Sequence, residues 1–100
     1  MNQINVEATE SGHRAKVVIR NPLGLHLRPA SQVVKVAGQF EDCEVTLTKD
    51  GQTINAKSIM GVIMLAAEQG SELVIEATGP RSERAVAALS EVVDSGFGES

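Results

Sequence analysis

The chain has 100 residues, a formal net charge of −4 and 42% apolar residues, and its only aromatic residues are Phe40 and Phe97. One domain with an aliphatic core is expected. An acidic balance with almost no aromatic rings argues against nucleic acid, which is bound through basic patches and stacking platforms.

Cys43 is the only cysteine, and His13 and His26 are the only histidines. No intrachain disulfide can form, and no metal site is expected from so few ligands. No Gly-rich phosphate loop appears, so no nucleotide cofactor is expected either. The sequence has no 18-residue apolar run and no signal-like apolar start. A cytoplasmic protein without membrane insertion is the expectation.

Residues 1–13 are polar without a sustained period and are expected to form a flexible extension ahead of a single domain over 14–100. His13 is expected to be exposed there. From Arg14 to Arg20 the pattern alternates, with Ala15, Val17 and Ile19 on one face of a strand. Pro22 and Gly24 break it. Pro29 to Ala37 has helical spacing, with Ala30, Val33, Val34 and Ala37 in one stripe and Gly38 as the stop. Pro29 suits the start of that helix, because its missing N–H is not needed there. His26 and Arg28 therefore fall at, or just before, a helix N-terminus, where free backbone N–H groups attract anions.

Cys43 to Thr48 alternates again, with Cys43, Val45 and Leu47 on the apolar side. Asp50-Gly51 predicts a type I′ hairpin turn into a short edge strand, Gln52 to Ala56. Ser58 to Ala67 is apolar almost all round, with Ser58 as its N-cap. Either Val62, Leu65 and Ala66 pack inward and Ile59, Met60 and Ile63 form an exposed docking patch, or the helix is buried more deeply. Periodicity leaves both open. Gly70 ends this element. Glu72 to Thr78 predicts a strand with Leu73, Ile75 and Ala77 inward. After Gly79-Pro80, Arg81 to Asp94 predicts a helix carrying Ala85, Ala88, Leu89, Val92 and Val93 on one side. Gly96 closes it, leaving Phe97 to Ser100 to fold back or fray. The fold class is α+β, with three helices on one face of a four-stranded antiparallel sheet.

A neutral imidazole is a nucleophile near neutral pH. Attack by His26 on a phosphoryl donor would give a phosphohistidine, with Arg28 and the helix end steadying the added charge. An ordinary loop histidine fits the same composition. Ser58 is by default a cap; a phosphate there would bring about −1.5 to −2 charges to the helix start and disfavour an acidic or apolar partner beside Ile59 and Met60. Nothing resembles a hydrolase nucleophile elbow, and no substrate-turnover machinery is evident, so an enzyme is not expected.

Gly24-Leu25-His26-Leu27-Arg28-Pro29-Ala30 resembles the active-site signature of the HPr phosphocarriers of the bacterial phosphoenolpyruvate-dependent phosphotransferase system. Asn55-Ala56-Lys57-Ser58-Ile59-Met60-Gly61-Val62 resembles their regulatory serine segment. The resemblance spans Arg14 to Asp94 and implies an open-faced β-sandwich. It implies a phosphoryl group on Nδ1 of His26 (the pros nitrogen), assisted by Arg28, received from enzyme I and passed to an enzyme IIA domain of the sugar system. It implies Ser58 as the target of the ATP-dependent HPr kinase/phosphorylase, with modification hindering enzyme I. It turns Ile59, Met60 and Ile63 outward and adds Lys35 to the partner surface of a monomeric carrier. Leu23 departs from the pattern, standing where many members have a polar residue. Two other functions fit the same motifs: a nitrogen-type or purely regulatory phosphorelay without sugar transport, and a docking domain independent of phosphorylation. The last has no need of His26 with Arg28.

Overall fold

The alternating runs and helical stripes assemble around one sheet in the computed structural model, which describes residues 4–99. In chain order the elements are β1 (Glu7–Ala8), β2 (Gly12–Val18), α1 (Leu27–Gly38), β3 (Glu44–Lys49), β4 (Gln52–Asn55), α2 (Ile59–Met64), β5 (Glu72–Thr78) and α3 (Ser82–Asp94), followed by a 3₁₀ turn, Gly96–Gly98. The strands lie in the order β1-β2-β5-β3-β4, each pair antiparallel. Alternation decides the two faces: Ala15, Val17, Val45, Leu47, Leu73, Ile75 and Ala77 are buried, while Arg14, Lys16 and Glu44 point to solvent. Three helices cover the apolar face. α3 lies on β2 and β5, and α1 packs against α2 and α3. The expected open-faced sandwich is the observed one.

The sheet has five strands rather than four. Glu7 pairs with Arg14 and Ala8 with His13, so β2 begins at Gly12, two residues earlier than its alternation indicates. The added strand is only two residues long, too short to show a period. Its turn is closed by Thr9 N–H to Gly12 O at 2.8 Å and by Gly12 N–H to Thr9 Oγ1 at 3.0 Å. Ile4 and Val6 pack against the core. Residues 1–3 of the expected extension lie outside the described residues. His13 is not a free surface group: its Nδ1 shares a 2.7 Å hydrogen bond with Ser82 Oγ on α3.

Three boundaries also shift. α1 begins at Leu27, so Pro29 is its third residue; none of the first three N–H groups of a helix has an intrahelical acceptor, and proline costs no hydrogen bond there either. α2 stops at Met64, and Ala66 turns the chain with φ +53°, which exposes Ala66 and buries Ala67 in its place. α3 starts at Ser82, because Arg81 is taken by the loop before β3. Its guanidinium lies 3.0 Å from Asp42 Oδ1 and 5.1 Å from the centre of the Phe40 ring. That guanidinium holds the Asp42 carboxyl below the usual carboxylate range. A carboxyl depressed in the folded state favours folding above its ordinary pKa and loses that contribution as pH falls through the lower one. Exposure keeps the effect small.

Leu47 is fully buried at the centre of the sheet. Leu47→Ala is expected to lower unfolding free energy by about 2–5 kcal/mol in urea titrations, against about 0.5 kcal/mol or less for the exposed Gln52→Ala. In Arg81→Gln the Asp42 carboxyl, followed by NMR, should titrate at a higher pH than in the wild type, because the hydrogen-bonding guanidinium that lowers it is gone.

Candidate functional site

The loop from Asn21 to Leu25 decides where α1 starts. Asn21 is buried and ties the loop to itself, donating from Nδ2 to Gly24 O at 2.8 Å and accepting Gly24 N–H on its carbonyl at 3.2 Å. Leu25 is buried, and its N–H donates to Ala67 O at 2.9 Å, joining the loop to the chain after α2. Gly24 is required twice: its φ is +68°, and a Cβ would collide with Ala67 O.

His26 then occupies the N-cap in extended conformation, φ −77° and ψ −172°, and its carbonyl accepts Ala30 N–H at 2.9 Å. Its side chain does not cap the helix. Among the described residues the first-turn donors without a partner are those of Leu27 and Arg28, since Pro29 has none, and the first turn holds no acidic residue to neutralise the helix end. The imidazole is about one-third exposed, with a side-chain relative accessibility of 36%. Among the described residues its Nδ1 has no hydrogen-bond partner. Its Nε2 lies 3.0 Å from Glu99 Oε2.

Glu99 arrives from the far end of the chain. Gly96, Phe97 and Gly98 all have positive φ, at +73°, +58° and +75°, which folds the tail back on α1. Left-handed backbone at Phe97 costs about 1–2 kcal/mol. Its side chain is buried, which is worth about 1.5–3 kcal/mol and offsets that strain. Gln32 Nε2 donates to Phe97 O at 3.3 Å, and Asn21 Nδ2 to Glu99 Oε1 at 3.0 Å. The result is an open cleft of about 730 Å³ lined by Pro22, Leu23, His26, Arg28, Gln32, Phe97, Gly98 and Glu99.

His26 and Arg28 therefore share one cleft, with Arg28 exposed and making no hydrogen bond or ion pair among the described residues. Leu23 and Leu27 stand in solvent beside them. The other expected site residues lie outside the cleft. Ser58 caps α2, its Oγ accepting Gly61 N–H at 3.1 Å. Met60 is exposed; Ile59 and Ile63 are half-buried against the core, while Val62 and Leu65 face fully inward. Met64, which the helical pattern does not single out, is as exposed as Met60. Lys35 is exposed in the last turn of α1. Lys57, next to Ser58, spends its ammonium on Phe40 O and Cys43 O, at 2.8 and 2.6 Å. Among the described residues no cluster of three or more metal-ligating side chains occurs, and no helix is long and apolar enough to cross a membrane.

Comparison with known proteins gives this geometry its context. A family model described as the PTS HPr component phosphorylation site matches residues 13–95. The chain belongs to the HPr phosphocarrier family. It is 46% identical to the phosphocarrier protein HPr of Chlamydia muridarum over 82 residues, 82% of this chain and 78% of that protein. A crystal structure of HPr from Thermoanaerobacter tengcongensis superposes with a TM-score of 0.82 at 38% identity, covering 87% of this chain and 97% of the other. An HPr dimer from the same organism gives 0.69 at 34%, covering 99% and 100%. Membership makes the chain a phosphocarrier of the phosphotransferase system rather than an enzyme.

The Ser58 hydroxyl is the one side-chain cap on α2. Ser58→Ala is expected to cost about 1 kcal/mol in chemical denaturation, with exchange of the Gly61 amide accelerated more than that of the β5 amides.

Proposed function

We propose that His26 is the phosphoryl carrier. Its Nδ1 takes the group from enzyme I, which draws on phosphoenolpyruvate, and gives it to an enzyme IIA domain of the sugar phosphotransferase system. The observation that carries this is a solvent-reached imidazole at a helix N-terminus whose first turn holds no acidic residue, with Nδ1 unpartnered among the described residues and an exposed guanidinium in the same cleft. Incoming phosphate charge meets the Leu27 and Arg28 N–H groups and the Arg28 side chain, which stabilise it without enclosing it. Exposure serves the role, because a donor and an acceptor protein must both reach the ring.

Ser58 is the regulatory position, modified by HPr kinase/phosphorylase. A phosphate on its Oγ sits at the start of α2, where the helix tolerates charge, and the adjacent lysine, Lys57, is already engaged with Phe40 O and Cys43 O. The added charge therefore faces a partner lying over Met60, Ile59 and Ile63 rather than being absorbed by this chain. Lys35 extends the same partner surface along α1. The carrier works in the cytoplasm as a monomer; sedimentation at working concentration distinguishes that from a dimer.

Incubation with enzyme I and labelled phosphoenolpyruvate is expected to give acid-labile, alkali-stable label in the wild type and none in His26→Ala. Label retained by that variant overturns the assignment. Ser58→Asp should slow phosphoryl acceptance from enzyme I while its melting temperature stays within a few degrees of wild type. A variant that unfolds instead makes the serine structural.

A further inference from the structure

Among the described residues the sulfur-bearing side chains are Cys43, Met60 and Met64, and the fold sorts them. The Cys43 thiol is buried in the core, at 3% exposure. The thioethers of Met60 and Met64 stand in solvent, at 63% and 65%. Both belong to α2, four residues apart and therefore neighbours on one side of it. α2 reaches the core through Val62, Ile59 and Ile63, so neither methionine is needed to hold the helix down. The other large apolar side chains in solvent, Val18, Leu23 and Leu27, are hydrocarbon and inert to mild oxidants. A peroxide in solution thus finds its soft targets on the outer side of α2 and not in the core.

We propose that Met60 and Met64 form a reversible oxidation site that turns off docking of enzyme I. The proposal rests on the carrier role above, with enzyme I as the partner lying over this side of α2. In the step itself, a sulfur lone pair forms a bond to one oxygen of a hydroperoxide. The O–O bond breaks, its electron pair leaves with the other oxygen, and the proton of the transferred oxygen passes to that leaving group. The thioether is oxidised by two electrons to the sulfoxide, and the hydroperoxide is reduced to water or an alcohol. Each sulfoxide puts a polar group in place of an apolar one, and its oxygen needs a hydrogen-bond donor. In the free carrier water supplies that donor. Under an apolar partner surface the oxygen is buried without one, so the docked state alone is penalised. His26 stands at the start of α1, not on α2, and keeps its own chemistry. Oxidation therefore acts on binding rather than on transfer. Ser58, at the N-cap of the same helix, takes charge, whereas the methionines take a neutral dipole, so one surface carries two independent signals.

The test measures label acceptance from enzyme I over a range of carrier concentrations, before and after treatment with hydrogen peroxide, with peptide mass spectrometry to locate the sulfoxides at residues 60 and 64. Oxidation is expected to raise the half-saturating carrier concentration about tenfold, as an unpartnered buried acceptor implies, with the rate at saturation changed by less than about twofold. The melting temperature should stay within a few degrees of the untreated protein. Methionine sulfoxide reductases for both epimers should restore the original half-saturation. In the double variant Met60→Leu, Met64→Leu, peroxide should leave half-saturation where it stands in the same variant untreated, which excludes Met1 as the source. Thioethers that resist peroxide, or an oxidised wild type with unchanged half-saturation, overturn the site. So does a melting temperature that collapses on oxidation, or a double variant that still responds to peroxide. In all of these the untreated wild type takes label and the carrier reading stands. An untreated wild type that takes no label overturns the carrier reading, and the oxidation device with it.

Discussion

The hydrogen bond from Leu25 N–H to Ala67 O is the joint on which the site depends. It brings the loop ahead of α1 against the chain leaving α2, and it closes only because Gly24 has no side chain to obstruct Ala67. With that joint made, Leu25 is buried, His26 must take the extended N-cap conformation, and the end of α1 opens toward solvent beside it. The imidazole is thus placed by the backbone at the N-cap and by one contact of its own, from Nε2 to Glu99 Oε2. Among the described residues that leaves Nδ1 without a hydrogen-bond partner.

The one-sided sheet supplies the rigidity behind this joint. Its covered face is a continuous aliphatic core from Ala15 through Leu47 to Ile75, completed by Val33 of α1, Val62 of α2 and Leu89 of α3. α1 and α3 are fixed by buried stripes and α2 by Val62, with buried Leu65 at its C-cap, which leaves their outer sides exposed. His26 and Ser58 stand at the N-caps of α1 and α2, outside the buried set.

Much of this was legible in the sequence because period and punctuation agreed. The inward sets Ala15/Val17/Ile19, Val45/Leu47 and Leu73/Ile75/Ala77 are buried as their alternation requires, Asp50 and Gly51 both take positive φ, and Ser58 caps α2. The misses have physical causes. Two-residue β1 carries no period and exists by pairing alone. Ala66 reads as an inward helical residue but is spent on a left-handed turn that ends α2 early. At the site, His26 and Arg28 were recognisable from their neighbours, whereas Asn21 and Glu99 were not. Their contacts join residues 78 and 73 positions apart, which no local pattern encodes. Phe97 was the only available hint, as one of two aromatic residues in a chain otherwise lacking them and set between two glycines.

The backward fold of the tail also bears on how the molecule can be handled. Residues 97–99 line the cleft beside His26, so a bulky label attached to any of them would take up the space in front of the ring. Fluorophores and other labels belong instead on the exposed edge strand β1, on the outer margin of the sheet.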